Sequence, residues 1–495
     1  MKVDRRTFVK GALGASGAML LGGTGALASG SSGAGASSHA LDVALPHPAK
    51  SGIEHVIVVM MENRSFDHFL GWLPHADGRQ AGLSYPDPQG ALHKTYHQTQ
   101  LNGCDFTDPD HSYGGGRLQY NGGKMNGFLS DKANDDFAIS YYEANDRPFM
   151  SKLALAYTTC DRYFCAILGP TYPNRFFQHS AQTDRLDDGL TMSTLPTIWD
   201  QLNQAGGPTG RYYYNDVPFL ALYGSKYSGI SFKFPQFLTD AASGQLPNVS
   251  YLDPKFVSEA DATSADDHPL ADIRAGDAFL SQVFHAVASG PGWDKTVLVI
   301  NYDEWGGFFD HVVPRRITAG VAVGTSPKSG VDTDVNAAGK VLSGFRVPCI
   351  IASPFSRVGG KQAAVSHNFY DHTSVLKLIE WRWGLQPLTQ RDASTSPTDP
   401  GNLATALNFS RPVPKVPKLP VLAAFTPVAC AASSTTTTEP AGIEPADNTG
   451  RSSVDLASAA RAPSTGNAPA TVTPATTGHD TWTELAQSSL MDGWT

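Results

Sequence analysis

Cysteine is scarce in this chain, which has only five in 495 residues. Five cysteines are too few for a disulfide scaffold, and the odd number leaves at least one thiol unpaired, although one bridge is possible. Their spacing also lacks the pairs of a zinc finger, which excludes a structural cysteine metal site. The positions are Cys104, Cys160, Cys165, Cys349 and Cys430.

Charge and long apolar runs are limited as well. Only 17% of the residues are charged and the formal net charge is -9, so there is no basic surplus and we expect no nucleic-acid partner. The apolar stretch at residues 11–21 is too short and too rich in glycine to span a membrane. We therefore expect a soluble globular protein.

Two apolar runs, at residues 55–60 and 296–300, predict buried strands. Both are rich in β-branched residues, which is typical of parallel strands covered on both faces. Strands and helices alternate along the chain, and this favours one large α/β domain over residues 50–425. We expect a mostly parallel central sheet sandwiched by helices.

Polar pairs follow both predicted strands. Glu62 and Asn63 come after the first run, and Asp303 and Glu304 come after the second. In open α/β sheets, ligands bind beyond the carboxyl ends of such strands, and carboxylate and amide oxygens suit a divalent cation. The four residues together predict a metal site, whereas either pair alone would be read as ordinary loop acids.

Three motifs occur in a fixed order: Glu-Asn-Arg-Ser-Phe-Asp-His at 62–68, Gly-Pro-Thr-Tyr-Pro-Asn-Arg at 169–175, and Asp-Glu-Trp-Gly-Gly-Phe-Phe-Asp-His at 303–311. Over about residues 53–385 the chain resembles the phosphoesterase family of bacterial phospholipases C and secreted acid phosphatases. That family belongs to the alkaline phosphatase superfamily. The resemblance implies an alkaline-phosphatase-like fold and hydrolysis of phosphoric esters.

The resemblance also implies that Thr171 is the nucleophile. A threonine hydroxyl attacks poorly at neutral pH, so it needs a metal, an adjacent base or a positive local field. Pro173 suits a first helical turn, and residues 174–182 predict a helix whose N-terminus would face the hydroxyl and attract phosphate. The alternative is that Thr171 only caps this helix.

Other polar residues are expected to complete the site. Asn174 and Arg175 are predicted to bind substrate, since a guanidinium suits phosphate, although a structural salt bridge is an equal alternative for Arg175. The resemblance places His111 and His268 in the phosphate pocket, where they could bind phosphoryl oxygens or protonate the leaving alkoxide. Without it, both would be read as solvated loop histidines.

Two further histidines match family segments less decisively. His311 could orient a metal ligand by bonding to it without contacting the metal. His372 belongs to a predicted capped helix at residues 371–383 and is expected to be structural. The chain departs from the family pattern at Tyr113, where a tryptophan is common, and at Asn126, where an aspartate is common. These departures affect the outline of the substrate pocket.

The composition changes toward the C-terminus, where serine, threonine, alanine and proline dominate. Residues 430–495 predict a disordered low-complexity tail with no part in the site, because such a segment cannot bury enough apolar area. Residues 481–495 could form a short helix without an assigned function.

These observations together predict a metal-dependent phosphoesterase with a divalent cation of unknown identity. The preferred hypothesis is a phospholipase C that cleaves phosphatidylcholine-like lipids through a phosphothreonine intermediate. One alternative is an acid phosphatase, a phosphomonoesterase with the same ligands around the metal. Another is an exported binding protein that keeps the fold without catalysis. The expected substrate is thus a phospholipid or a small phosphoester.

The N-terminus predicts export. Arg5 and Arg6 begin a twin-arginine pattern, the apolar stretch follows, and residues 26–28 offer a cleavage site, so residues 1–28 are predicted to be a signal peptide. The partner would be the twin-arginine translocase, which carries folded proteins, and the enzyme would be secreted or periplasmic, or lie in the cell envelope.

Replacing both Arg5 and Arg6 by lysine should therefore block export, because the translocase recognises the paired guanidinium groups. Precursor should accumulate inside the cell, as measured by immunoblots of cell and medium fractions. Normal secretion of the double variant would instead indicate the general secretory route.

Overall fold

The computed structural model describes residues 44–130, 134–356, 364–430 and 480–494. The signal-peptide prediction lies outside these residues. The strands are β1 His55–Met61, β2 Ser84–Pro86, β3 Leu92–Lys94, β4 Tyr96–His97, β5 Ser140–Tyr141, β6 Thr158–Cys160, β7 Gly210–Tyr214, β8 Ser231–Lys233, β9 Val249–Leu252, β10 Thr296–Tyr302, β11 Arg316–Thr318, β12 Lys340–Leu342, β13 Cys349–Ala352 and β14 Ala364–Ser366.

The helices surround an extended central sheet. They are α1 Phe66–Leu70, α2 Tyr113–Tyr120, α3 Pro148–Ala156, α4 Thr171–Ser180, α5 Ile198–Ala205, α6 Phe234–Ser243, α7 Ile273–Ser289, α8 His372–Trp383, α9 Gln390–Ala393 and α10 Thr481–Gln487. The longest 3-10 helix covers Phe219–Ile230. Among the described helices, none combines the length and the apolar character needed to cross a membrane.

The central sheet has eight strands in the order β14-β6-β13-β10-β1-β9-β7-β8. Pairing is parallel except where β13 runs antiparallel to β10 and to β6. The predicted α/β fold with a mostly parallel central sheet is therefore confirmed.

The two predicted buried strands lie side by side at the centre of this sheet. β1 and β10 pair in parallel along their full length, with Val58 opposite Val299. All seven residues of β10 are buried, so both of its faces are covered. Because the two strands run in parallel and in register, they end at the same edge of the sheet, beside Glu62 and Asp303.

A buried arginine ties together the segments that flank this edge. Arg346 is fully buried and donates two hydrogen bonds of 3.0 Å to the carboxylate of Asp310, which follows β10. A third hydrogen bond of 3.0 Å reaches Asp67 in α1. His311 belongs to this cluster, since its Nδ1 lies 2.5 Å from Asp67 and its Nε2 lies 3.2 Å from Asp77.

The end of the chain differs from the predicted tail. Residues 431–479 lie outside the described residues. Residues 480–494 contain the anticipated short helix, α10, and pack against the domain with Trp482 and Leu485 fully buried. This last segment contacts a predicted site residue, since Trp482 donates a hydrogen bond to Glu62, and its part in the site stays a prediction. Its aromatic and aliphatic side chains supply the apolar area that the serine- and threonine-rich stretch lacks.

One disulfide forms, as the cysteine count allowed. It joins Cys104 to Cys430. The other three cysteines, Cys160, Cys165 and Cys349, are free and buried.

Arg346→Met should lower the free energy of unfolding by about 3–5 kcal/mol, since it leaves two buried carboxylates without their cation. Chemical denaturation measures this. Arg316→Met is the matched control, because Arg316 pairs with Asp334 at a similar 2.9 Å but is 37% exposed, and it should cost less than about 1 kcal/mol. Equal losses in the two variants would contradict a role for burial.

Candidate active site

The two polar pairs predicted to bind metal meet at the end of β1 and β10. The backbone N–H of Asn63 donates to Asp303 Oδ1 at 3.1 Å, and the N–H of Glu304 donates to the same oxygen at 2.6 Å. Asn63 adopts a positive φ of 58°, which turns the chain directly after the strand. All four side chains, those of Glu62, Asn63, Asp303 and Glu304, are fully buried.

Two oxygens in this group are available to a cation. Glu62 Oε2 and Glu304 Oε1 are buried and have no hydrogen-bond partner among the described residues. Leaving a buried carboxylate oxygen without a donor is costly, and a divalent cation would satisfy it. The chemistry of these oxygens suits a metal ion, although among the described residues Glu62 forms a group within 4.8 Å with Glu259 and Asp266 and not with Asp303 and Glu304.

Thr171 lies beside this edge as the first residue of α4. Its hydroxyl donates to Asn63 Oδ1 at 3.4 Å. The helix covers Thr171–Ser180, so it begins three residues before the predicted start, and Pro170 rather than Thr171 occupies the N-cap. The alternative that Thr171 serves as the cap is thus wrong, and its hydroxyl is directed to the candidate metal ligands.

The N-terminus of α4 already has an anionic partner that the sequence did not reveal. The backbone N–H of Tyr172 donates to Asp188 Oδ1 at 2.7 Å. Burial raises the pKa of Asp188 to about 6, although this hydrogen bond opposes the rise. No local pattern marks Asp188, which reaches the helix end from a loop sixteen residues later.

Arg175 is buried in the same helix and makes the ion pairs that the sequence left as an alternative. Its guanidinium lies 3.0 Å from Glu62, 3.0 Å from Asp303 and 3.4 Å from Asp253. Burial raises the pKa of Glu62 well above its usual range, and Arg175 opposes that rise. Arg175 thus opposes the effect of burial on the pKa of these carboxyls, and its contact with phosphate stays a prediction.

The Asn174 side chain forms hydrogen bonds with the backbone of the loop that precedes α4. Its amide nitrogen donates to the carbonyl oxygens of Ile167, Gly169 and Pro170, and its oxygen accepts from the N–H of Ile167. These bonds shape the turn that presents Thr171. A direct contact of Asn174 with substrate remains a prediction.

The two predicted pocket histidines lie next to each other. The ring centroids of His111 and His268 are 6.2 Å apart, and His111 Nε2 lies 3.2 Å from the amide nitrogen of Asn63. Asp108 lies between them, 3.9 Å from His111 and 3.5 Å from His268. Asp108 precedes His111 by three residues, and no sequence pattern gave it a role.

The surroundings of the two rings affect their pKa values differently. Burial lowers the pKa of His111, but Glu304 and Asp108 outweigh it and raise the value to about 10. Burial lowers the pKa of His268 well below its usual range, and the neighbouring His111 adds to that shift. The pKa values of the two neighbouring rings are therefore shifted in opposite directions.

Two acids that the sequence did not single out join Glu62. Ligand atoms of Glu62, Glu259 and Asp266 lie within 4.8 Å of one another, and all three side chains are buried. Asp266 lies two residues before His268 in the sequence. The proximity of Glu259 to Glu62 depends on the path of the loops, and no sequence pattern predicts it. Together they make the edge strongly acidic.

The remaining two histidines have structural contacts. His372 opens α8, which Asp371 caps as predicted, and His372 Nε2 lies 2.6 Å from the carbonyl oxygen of Asp303. His311 contacts Asp67 and Asp77 in the arginine cluster, and its orienting of a metal ligand stays a prediction.

Comparison with known proteins agrees with these motifs. A model of the phosphoesterase family matches residues 53–386. Phospholipase C B of Mycobacterium tuberculosis is 31% identical over 421 residues, covering 73% of this chain and 78% of that protein. Non-specific phospholipase C1 of Arabidopsis thaliana is 31% identical over 387 residues, covering 70% of each chain.

Among solved structures, the phosphonate monoester hydrolase of Agrobacterium radiobacter aligns with a TM-score of 0.34 and 11% identity, covering 72% of this chain and 78% of that chain. The family match spans about two thirds of the sequence, includes all three motifs and agrees with the resemblance seen in them. The chain belongs to the phosphoesterase family.

Proposed function

We propose that this phosphoesterase is a phospholipase C that hydrolyses phosphatidylcholine-like lipids with Thr171 as the nucleophile. The observation that carries the proposal is the hydroxyl of Thr171, which bonds to Asn63 at the acidic edge where β1 and β10 end. The relatives of similar sequence that are named phospholipases C support the choice of a phosphodiester.

The cofactor in this proposal is a divalent cation held by Glu62, Asn63, Asp303 and Glu304. When bound, it would lower the pKa of the attacking hydroxyl and neutralise charge that develops on phosphorus. The unpartnered oxygens of Glu62 and Glu304 support this assignment.

Hydrolysis would proceed in two displacements at phosphorus. Thr171 Oγ1 attacks phosphorus as its proton passes to solvent water, the bond to the diacylglycerol oxygen breaks as that oxygen takes up a proton, and the threonine carries the phosphocholine group. Water then attacks phosphorus and loses a proton, and the bond to Thr171 breaks as Oγ1 takes up a proton, which releases phosphocholine. The charged His111 is suited to give a proton to the leaving alkoxide, and the neutral His268 is suited to accept a hydrogen bond or a proton from water.

Arg175 would act mainly through the carboxylates that it pairs with, and Asn174 through the turn before α4. A hydrogen bond from either side chain to a phosphoryl oxygen remains part of the proposal.

Export through the twin-arginine translocase, followed by release outside the cytoplasm, also belongs to this proposal. It rests on the sequence around Arg5 and Arg6. A disulfide between Cys104 and Cys430 supports an oxidising destination, since such bonds persist there.

Substrate preference separates this proposal from an acid phosphatase. We expect para-nitrophenyl phosphorylcholine, a diester, to be hydrolysed with a higher kcat/KM than para-nitrophenyl phosphate, and a chelator to abolish both reactions. Release of nitrophenolate measures the rates. Preference for the monoester would favour a phosphatase, turnover of neither would favour a binding protein, and full activity in chelator would exclude the metal.

Thr171→Ala should reduce hydrolysis of the phosphorylcholine ester by about 10⁴-fold or more, because it removes the attacking oxygen. Thr171→Ser is the matched control, since it keeps a hydroxyl and should retain measurable turnover. Acid quenching with a labelled substrate should trap label on the wild-type protein and none on Thr171→Ala. Label on another residue would refute the assignment of the nucleophile.

A further inference from the structure

The last described segment of the chain, residues 480–494, packs against the active-site edge. The Trp482 ring is fully buried and stacks on Phe256, with ring centroids 3.9 Å apart and an angle of 4° between the planes. The Tyr172 hydroxyl donates to the carbonyl oxygen of Thr481 at 3.0 Å. The N–H of Ser258 donates to Asp480 Oδ2 at 3.1 Å. These contacts fix the start of α10 beside Thr171, the residue before Tyr172.

Trp482 makes one polar contact with the site. Its indole N–H donates to Glu62 Oε1 at 2.9 Å. Arg175 donates to the same oxygen at 3.0 Å. Glu62 Oε2 has no donor within the part of the chain that the structure describes. Two donors therefore hold one oxygen of this carboxylate, and Glu259 and Asp266 lie close to the same side chain.

We infer that Trp482 is a positioning residue for the metal site, holding Glu62 in the orientation that binds the cation. The inference rests on the proposed function, in which Glu62 is a metal ligand. A carboxylate that binds a metal is commonly oriented by hydrogen bonds from groups behind it, and losing such a group typically weakens metal binding by about 10–100-fold.

The chemistry of the indole suits this role. Its N–H is a donor only and carries no charge, so it fixes the carboxylate without competing with a cation. The stacking on Phe256 holds the ring plane, and Tyr172 contacts it edge-on at 5.2 Å between centroids. The donor is thus held in place by packing, and little conformational entropy is lost when it bonds to Glu62.

The other role open to such a segment is inhibition, in which α10 would block the site and be displaced by substrate. The two roles predict opposite results. A positioning segment strengthens metal binding and supports turnover, whereas an inhibitory segment lowers turnover and its removal raises it.

Trp494 provides a matched control within the same segment. It is also largely buried, at 9% exposure, and its indole N–H also makes one hydrogen bond, to the carbonyl oxygen of Gly224 at 3.2 Å. Trp494→Phe removes the same kind of donor from the same segment without touching Glu62.

The test is calorimetric titration of the metal-free proteins with Mn²⁺, Zn²⁺ and Ca²⁺ in turn. Trp482→Phe keeps the stacked ring and loses only the donor, and its Kd for the cation that binds wild type should rise by about 10–100-fold. Trp494→Phe should stay within about twofold of wild type, and Asp303→Ala should bind no cation at the site.

A second variant, a chain that ends at residue 479, tests whether the result for Trp482→Phe comes from the loss of the contact or from a disturbance caused by the phenylalanine itself. It should lose at least as much affinity as Trp482→Phe and should also lose turnover at a fixed cation concentration. Unchanged affinity in Trp482→Phe, an equal loss in Trp494→Phe, or faster turnover in the shortened chain would each overturn the inference. If wild type binds none of the cations, the proposed metal site fails first and the inference fails with it.

Discussion

The active-site edge depends on one buried cation, the guanidinium of Arg175. Several acids are brought out of water where β1 and β10 end, and burying ionised carboxylates close together is strongly unfavourable without compensation. Arg175 pairs with Glu62, Asp303 and Asp253 at the same time, and it comes from the helix that begins with Thr171. The ion pairs that stabilise the acidic edge therefore also set the position of Thr171, the proposed nucleophile, relative to it.

The sequence predicted those parts of the fold that follow from local patterns. Strands buried on both faces need continuous apolar runs, so β1 and β10 could be recognised, and the residues directly after them had to lie at one edge. Glu62 and Asp303 were found in this way. The order of the three motifs then indicated the family, including the place of Thr171.

The parts that could not be predicted depend on contacts between distant segments. Glu259 and Asp188 reach the site from loops, and loops carry no periodic pattern that would locate their side chains. The packing of Trp482 was not predicted from the average composition of the tail, because serine and threonine dominate the stretch before it. The tryptophan near the end of an otherwise polar tail was the one sequence feature that indicated packing on the domain. Burying so large an apolar side chain stabilises the folded protein.

The disulfide between Cys104 and Cys430 determines what a single proteolytic cut does to the molecule. It closes a loop across a sequence separation of 326, and this loop contains β5 to β14, Thr171 and the acids after β10. A protease that cuts one exposed turn inside that loop leaves two pieces still joined through sulfur, so the nicked enzyme remains a single covalent molecule. If the protein is exported as proposed, to a place where proteases are abundant and reductants are scarce, one cut would not release half of the domain.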